Sequence, residues 1–155
     1  MAEQADNPGV RVPPPFLYAA AVIGGLLLDR AWRLPIGAGI WRIILGWVLI
    51  AAWAMLTARS VREFIRNHTS ILPIRPATTL VIGGPYCFTR NPMYVALAIL
   101  TAGLGFVFNT WWLIVLLVPV VIVMQTAVIG REERYLRRRF GAEYDAYTKQ
   151  VRRWI

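Results

Sequence analysis

The chain has 155 residues, of which 57% are hydrophobic and only 16% charged, and its formal net charge is +9. Soluble domains carry about 25% charged residues, so this composition favours a membrane protein over an ordinary soluble enzyme. The length suits one compact unit, and we predict a single membrane domain over residues 1–155. One cysteine, Cys87, excludes an intrachain disulfide.

Four apolar stretches follow one another along the chain and predict an all-α, polytopic membrane fold. We expect helices over about residues 14–33, 40–58, 92–108 and 110–130. A membrane span needs about 20 apolar residues, which the second and fourth stretches supply alone and the others reach with their flanks. Only Asn109 separates the last two, which predicts a tight hairpin, and Pro119 is expected to kink the fourth helix. The alternative, helices of a soluble core, leaves too little chain to cover them.

The basic residues predict the orientation. Of the 17 basic residues, 14 lie in three regions: before the first apolar stretch, between the second and the third, and after the fourth. With four spans these regions share one side, so the positive-inside rule predicts that both termini and the 59–92 loop are cytoplasmic. This distribution favours anionic lipid headgroups over nucleic acid as the partner of the positive charge.

The loop between the second and third stretches is rich in residues that interrupt helices. Prolines and the run Gly83–Pro85 predict that most of the segment from Arg59 to Asn91 is not helical. Asn91-Pro92 is a good start signal for the third helix, because Asn can cap and proline suits the first turn. The start of a helix does not by itself explain the three further polar or aromatic side chains around it, at the membrane end of this loop: Tyr86, Arg90 and Tyr94.

The tail over residues 131–155 has an apolar side chain every three or four positions among charges, namely Leu136, Phe140, Tyr144, Tyr147 and Val151. This pattern predicts an amphipathic helix that Gly141 breaks or bends. One interpretation is a basic helix lying on anionic lipid. Glu132 and Glu133 are either interfacial charges paired with Arg131 or Arg134, or carboxylates directed at a cationic ligand. We expect no metal site, since His68 is the only histidine.

Two segments together resemble a known family. LVIGGPYCFTRNPMY (Leu80–Tyr94) and EERYLRRRFGAEYDAYTKQVRRW (Glu132–Trp154), separated by the predicted hairpin, resemble the isoprenylcysteine carboxyl methyltransferases and the related membrane phospholipid methyltransferases. The resemblance covers Thr78 to Trp154, half of the chain. It implies a multi-pass protein of a bacterial inner membrane, with S-adenosyl-L-methionine as methyl donor and a lipophilic or lipid acceptor entering from the bilayer.

The resemblance also implies site residues. Glu132 would hold the ammonium group of the donor, and the other implied donor contacts are Thr78, Leu80, Val81, Gly84, Tyr86, Asn91, Pro92, Met93 and Tyr94. Arg90 and Tyr94 are the expected catalytic residues, Arg90 orienting an acceptor oxyanion or the donor carboxylate. Val128 stands where the family has a substrate-side arginine, which disfavours a prenylcysteine carboxylate as acceptor.

Two other functions agree with parts of the same pattern. Membrane reductases of the sterol type have a similar tail and bind NADPH, although they are usually longer and have more spans. A non-catalytic membrane scaffold would need only the apolar helices and a basic tail that binds anionic lipid.

Overall fold

A computed structural model describes residues 13–69 and 77–154, and every regular element in these two ranges is helical, with no strand. This confirms the all-α class. The described elements are α1 (Pro14–Ala31), α2 (Ile40–Arg66), a 3-10 turn (Gly84–Cys87), α3 (Pro92–Phe108), α4 (Trp112–Val123), a π-helical segment (Met124–Ile129), α5 (Gly130–Phe140) and α6 (Ala142–Gln150). Residues 70–76 of the predicted cofactor loop lie outside the described ranges.

Within the described residues, two helices are long and apolar enough to cross a membrane. They are α2, with 27 residues and a mean hydropathy of 1.8, and the helix Trp112–Phe140, with 29 residues and a mean hydropathy of 2.6. Only 6% of the most apolar window of α2 is buried within the protein, so its apolar side chains face outward as in a lipid-exposed helix. At 18 and 17 residues, α1 and α3 are shorter than a typical span. Four spans therefore stay a prediction.

The last of these helices runs through Pro119 and continues beyond its apolar part. Its 29 residues extend for about 43 Å, whereas the hydrocarbon core of a bilayer is about 30 Å thick. The apolar run ends at Ile129, at the end of the π-helical segment. The charged helix α5 therefore projects past the apolar segment, and Glu132 lies outside it.

The second helix differs from the prediction at its carboxyl end. It continues to Arg66 rather than ending near residue 58. The added residues contain neither proline nor glycine, so nothing in them interrupts a helix. The hydroxyl of Ser60 donates to the carbonyl of Leu56 one turn earlier at 2.7 Å. The non-helical loop consequently begins after Arg66.

Small residues let the helices approach closely. A Cβ atom added to Gly46 of α2 would lie 2.9 Å from the carbonyl oxygen of Gly103 of α3, and one added to Gly103 would lie 3.0 Å from that of Gly46. In the same way, Gly25 of α1 lies against Leu113 of α4. Such glycines are typical of helix contacts inside membranes, where packing rather than hydrophobic burial holds helices together.

The connections α1–α2 and α3–α4 meet at one end of the helices. Asn109 adopts the left-handed conformation, and its Oδ1 accepts hydrogen bonds from the amides of Ile36 and Gly37, both at 3.1 Å. The Arg42 guanidinium donates to the terminal carbonyl oxygens of α3, those of Phe106 and Val107. The start of α1, the end of α2, the start of α3 and the tail helices therefore lie together at the opposite end.

Candidate functional site

A cavity of about 450 Å³ lies at the end of the molecule that contains the 77–91 loop. Five segments line it: residues 13–15 at the start of α1, the second half of α2, the loop, the first turns of α3, and the pair α5 and α6. These segments are far apart in sequence. Ligand pockets for small molecules usually have volumes of about 300–1,000 Å³, so the cavity is large enough for a cofactor.

The glycine pair shapes the loop against α2. Gly84 has a φ of +58°, a conformation that side chains disfavour, and a Cβ atom there would lie 2.9 Å from Cγ of Glu63. The following 3-10 turn places the ring of Tyr86 edge-on against Phe64, with the ring centroids 5.6 Å apart. The turn therefore aims Tyr86 into the cavity, while Gly84 itself does not line it.

The tail helices close over the loop. Leu80 packs in one cluster with the predicted apolar stripe: Leu136, Phe140, Tyr144, Tyr147 and Val151. The Tyr147 hydroxyl donates to the carbonyl oxygen of Tyr86 at 2.7 Å, and the Tyr135 hydroxyl accepts from the amide of Ala77 at 3.0 Å. The apolar face that would enter a lipid surface is thus packed against the loop.

Two buried tyrosines stay neutral and serve as hydrogen-bonding groups. Burial raises the pKa of Tyr86, and the neighbouring Tyr147 and Glu132 add to this rise. Burial is also the main cause of the raised pKa of Tyr147. Both hydroxyls therefore keep their protons near pH 7.

Glu132 faces the cavity from the first turn of α5. Its Oε1 accepts a hydrogen bond of 2.6 Å from the hydroxyl of Tyr94 on α3. Burial raises the pKa of the Glu132 carboxyl to about 7, the hydrogen bond from Tyr94 opposes this rise, and the charge of Glu133 adds to it. A carboxylate in this environment is poorly stabilised, so it favours a cationic ligand group or a proton.

Glu133 connects the loop to the end of the tail. Its two carboxylate oxygens accept hydrogen bonds from Nε and Nη2 of Arg153 at 2.9 and 2.5 Å, and Oε1 also lies 3.3 Å from Nη1 of Arg90. Neither of these two arginines is a neighbour of Glu133 in sequence. Closure of the tail over the loop brings the two distant arginines to Glu133.

Most of the residues predicted for the site line this cavity: Leu80, Val81, Tyr86, Arg90, Asn91, Pro92, Met93, Tyr94 and Glu132. Thr78 does not line it; its amide donates to the hydroxyl of Thr69 and its hydroxyl donates to the carbonyl oxygen of His68, both just after α2. Asn91 precedes α3 as predicted, but its side chain does not cap the helix and instead donates to the carbonyl oxygen of Arg153. The roles of these residues in binding and catalysis stay predictions.

Several cavity residues were not predicted. Trp53, Thr57 and Phe64 line it from α2, and no motif in that helix marks them. Tyr144 and Tyr147 also line it; the sequence places them in the apolar stripe and in the tail segment that carries the resemblance, but neither was predicted as a site residue. Among residues 13–69 and 77–154, no group of three or more His, Cys, Asp or Glu side chains is placed to hold a metal ion.

Comparison with known proteins adds two findings. The family described as "Phospholipid methyltransferase" matches residues 41–143. The nickel-cobalt-cadmium resistance protein NccN of Alcaligenes xylosoxydans xylosoxydans is 29% identical, over 73% of this chain and 61% of NccN, so the chain spans less than two thirds of that relative. No solved structure matches the chain.

Proposed function

Because the chain belongs to the phospholipid methyltransferase family, we propose that it is a membrane enzyme that transfers a methyl group from S-adenosyl-L-methionine to a lipid or small lipophilic acceptor. One observation supports this most: a single cavity joins a charged end, formed by the loop and the tail helices, to a wall of the apolar helix α2. A charged donor and a lipophilic acceptor require these two environments side by side.

The charges of the cavity suit an amino-acid head group. Glu132 offers a carboxylate, and Arg90 offers a guanidinium whose Nε is buried without a hydrogen-bond partner in the described residues. We infer that Glu132 binds the ammonium of the donor and Arg90 its carboxylate, since charge-assisted hydrogen bonds of this kind are stronger than neutral ones. The negative charge of Glu132 also favours a sulfonium cation over a neutral thioether.

The apolar wall suits an acceptor that arrives from the bilayer. Trp53 and Thr57 belong to the outward-facing apolar part of α2, yet both line the cavity. A lipophilic molecule reaching this wall would not have to cross water. The protein residues would then align the acceptor with the methyl group and exclude water, which can supply most of the acceleration for a displacement of this kind.

The donor, when bound, supplies an electrophilic methyl group. After the transfer, the sulfur of the donor is left as a neutral thioether. An anionic acceptor needs no base, whereas an amine or a hydroxyl has to lose a proton.

Calorimetry in detergent tests the proposal. We expect saturable binding of S-adenosylhomocysteine, the product form of the donor, and weaker or no binding of NADPH. Labelled donor incubated with the protein and a membrane lipid extract should yield a labelled lipid-soluble product. Folded protein that does not bind S-adenosylhomocysteine would reject the proposal, and selective binding of NADPH would favour the reductase.

Donor binding should depend on pH through Glu132. A cation binds the carboxylate form, so binding at low pH has to displace the proton that burial favours. Below pH 7 we therefore expect the affinity for S-adenosylhomocysteine to fall by up to about tenfold per pH unit, and to be nearly constant just above pH 7. Titrations from pH 5.5 to 7.5 check this, and the Glu132→Gln variant should show no such slope.

A further inference from the structure

The segment after α6, Val151–Trp154, is hydrogen-bonded both to the loop and to the π-helical segment. The Arg152 carbonyl oxygen accepts from the amide of Arg90 at 3.0 Å, and the Arg153 carbonyl oxygen accepts from the side chains of Thr89 and Asn91 at 3.2 and 2.9 Å. The Trp154 indole donates to Gln125 in the π-helical segment at 2.7 Å. Arg90 and Asn91 both line the cavity, so this segment determines where they lie.

Glu133 is shared unequally between its two arginines. Arg153 binds it through two nitrogens, at 2.9 and 2.5 Å, which is the strong bidentate geometry of an arginine–carboxylate pair. Arg90 approaches it through one nitrogen at 3.3 Å. Glu133 is therefore largely satisfied by Arg153, and it is only a weak partner of Arg90.

Arg90 consequently keeps binding capacity beside the cavity. Its Nε is buried and has no hydrogen-bond partner in the part of the chain that the structure describes. Its side chain is only 15% exposed, so water does not readily replace a missing partner. Two guanidinium groups and one carboxylate leave one positive charge in this cluster, and the weakly paired member is the one that lines the cavity.

We propose that Arg153 is a positioning residue that occupies Glu133 and thereby keeps Arg90 available to the carboxylate of the bound donor. This inference rests on the proposed function. Without Arg153, Glu133 becomes a full partner of Arg90, the local charge falls to zero, and the carboxylate of a ligand has to compete with Glu133. Arg153 itself does not line the cavity, so its effect reaches the ligand through Glu133 and Arg90.

Two ligands separate this role from simple support of the fold: S-adenosylhomocysteine, and its decarboxylated analogue, which keeps the ammonium group. Arg153→Gln should weaken binding of the first by about tenfold and of the second by less than about twofold, because only the first uses Arg90. Arg152→Gln removes the same charge from the exposed neighbouring side chain and should leave both affinities unchanged. Calorimetry on the full chain measures all four values.

Removing the Glu133 carboxylate, which competes with the ligand for Arg90, should restore binding of S-adenosylhomocysteine. In Arg153→Gln combined with Glu133→Gln, no carboxylate competes for Arg90, so the affinity for S-adenosylhomocysteine should return to within about threefold of the unsubstituted protein. Equal weakening of both ligands by Arg153→Gln, or no recovery in the double variant, would overturn the inference.

If the Arg153→Gln variant does not fold, the Glu133→Gln variant alone tests the proposed role of Arg153. It should bind S-adenosylhomocysteine equally or more tightly, and weaker binding would overturn the inference. Failure of the unsubstituted protein to bind either ligand would instead reject the proposed function.

Discussion

Replacing Glu132 with glutamine is expected to weaken binding of S-adenosylhomocysteine by about 10- to 100-fold at pH 8. The change removes a charged partner of the ligand ammonium, and hydrogen bonds to charged groups contribute about 1.5–3 kcal/mol. Glutamine has nearly the same shape, and its amide oxygen can still accept the hydrogen bond that Tyr94 donates to Glu132. The loss should therefore appear in ligand affinity, measured by calorimetry, and not in the thermal unfolding temperature.

Two substitutions on the outer side of the tail serve as controls. Glu143→Gln makes the same chemical change at an exposed position of α6. Arg137→Gln breaks an exposed ion pair with Asp145, and such pairs contribute little to stability. Both variants should bind the ligand within about twofold of the unsubstituted protein. A loss as large as that of Glu132→Gln in either control would contradict the assignment of Glu132 to the donor.

The helical architecture could be predicted because its signal is local. Long apolar runs require helices wherever they lie, and Pro92 and Asn109 mark where the third helix begins and ends. The extension of α2 to Arg66 was missed because the charged residues there were interpreted as a loop boundary, although charge alone does not end a helix. The number of membrane crossings is not a local property, and it was not settled by the lengths of α1 and α3.

The residues of the site could be predicted only where they belong to a short sequence motif. The segment from Leu80 to Tyr94 and the acidic pair after the last apolar run could be recognised from residue order. The direction of Glu132 could not be derived by counting turns along the last apolar stretch, because the π-helical segment Met124–Ile129 lies between that stretch and Glu132 and changes the register. No residue type marks that segment in the sequence.

Contacts between distant residues were beyond prediction. Glu133 bonds to Arg153, 20 residues later, and lies beside Arg90, far earlier in the chain. Thr57 and Trp53 reach the cavity only because α2 packs beside α3 and under the loop. One sequence carries local preferences, whereas these contacts depend on how whole helices pack.

The apolar wall of the cavity can be tested separately from its charged end. Thr57→Trp places a large ring on that wall, seven residues and therefore about 10 Å along α2 from Phe64, whose ring contacts Tyr86. We expect binding of S-adenosylhomocysteine to stay within about twofold, while transfer of labelled methyl groups into a membrane lipid extract falls by about tenfold or more. The reason is that the ring takes space from the lipophilic acceptor and not from the donor.

Ala58→Trp is the matched control, because it adds the same ring one residue later, at an exposed position of α2. It should change neither donor binding nor methyl transfer. If Thr57→Trp abolishes donor binding as well, the donor extends to the α2 wall and the cavity does not separate two substrates. If it leaves transfer unchanged, the acceptor does not enter along α2. Either result would contradict entry of a lipophilic acceptor past Thr57, whereas a selective loss of transfer would locate the acceptor beside the apolar helix.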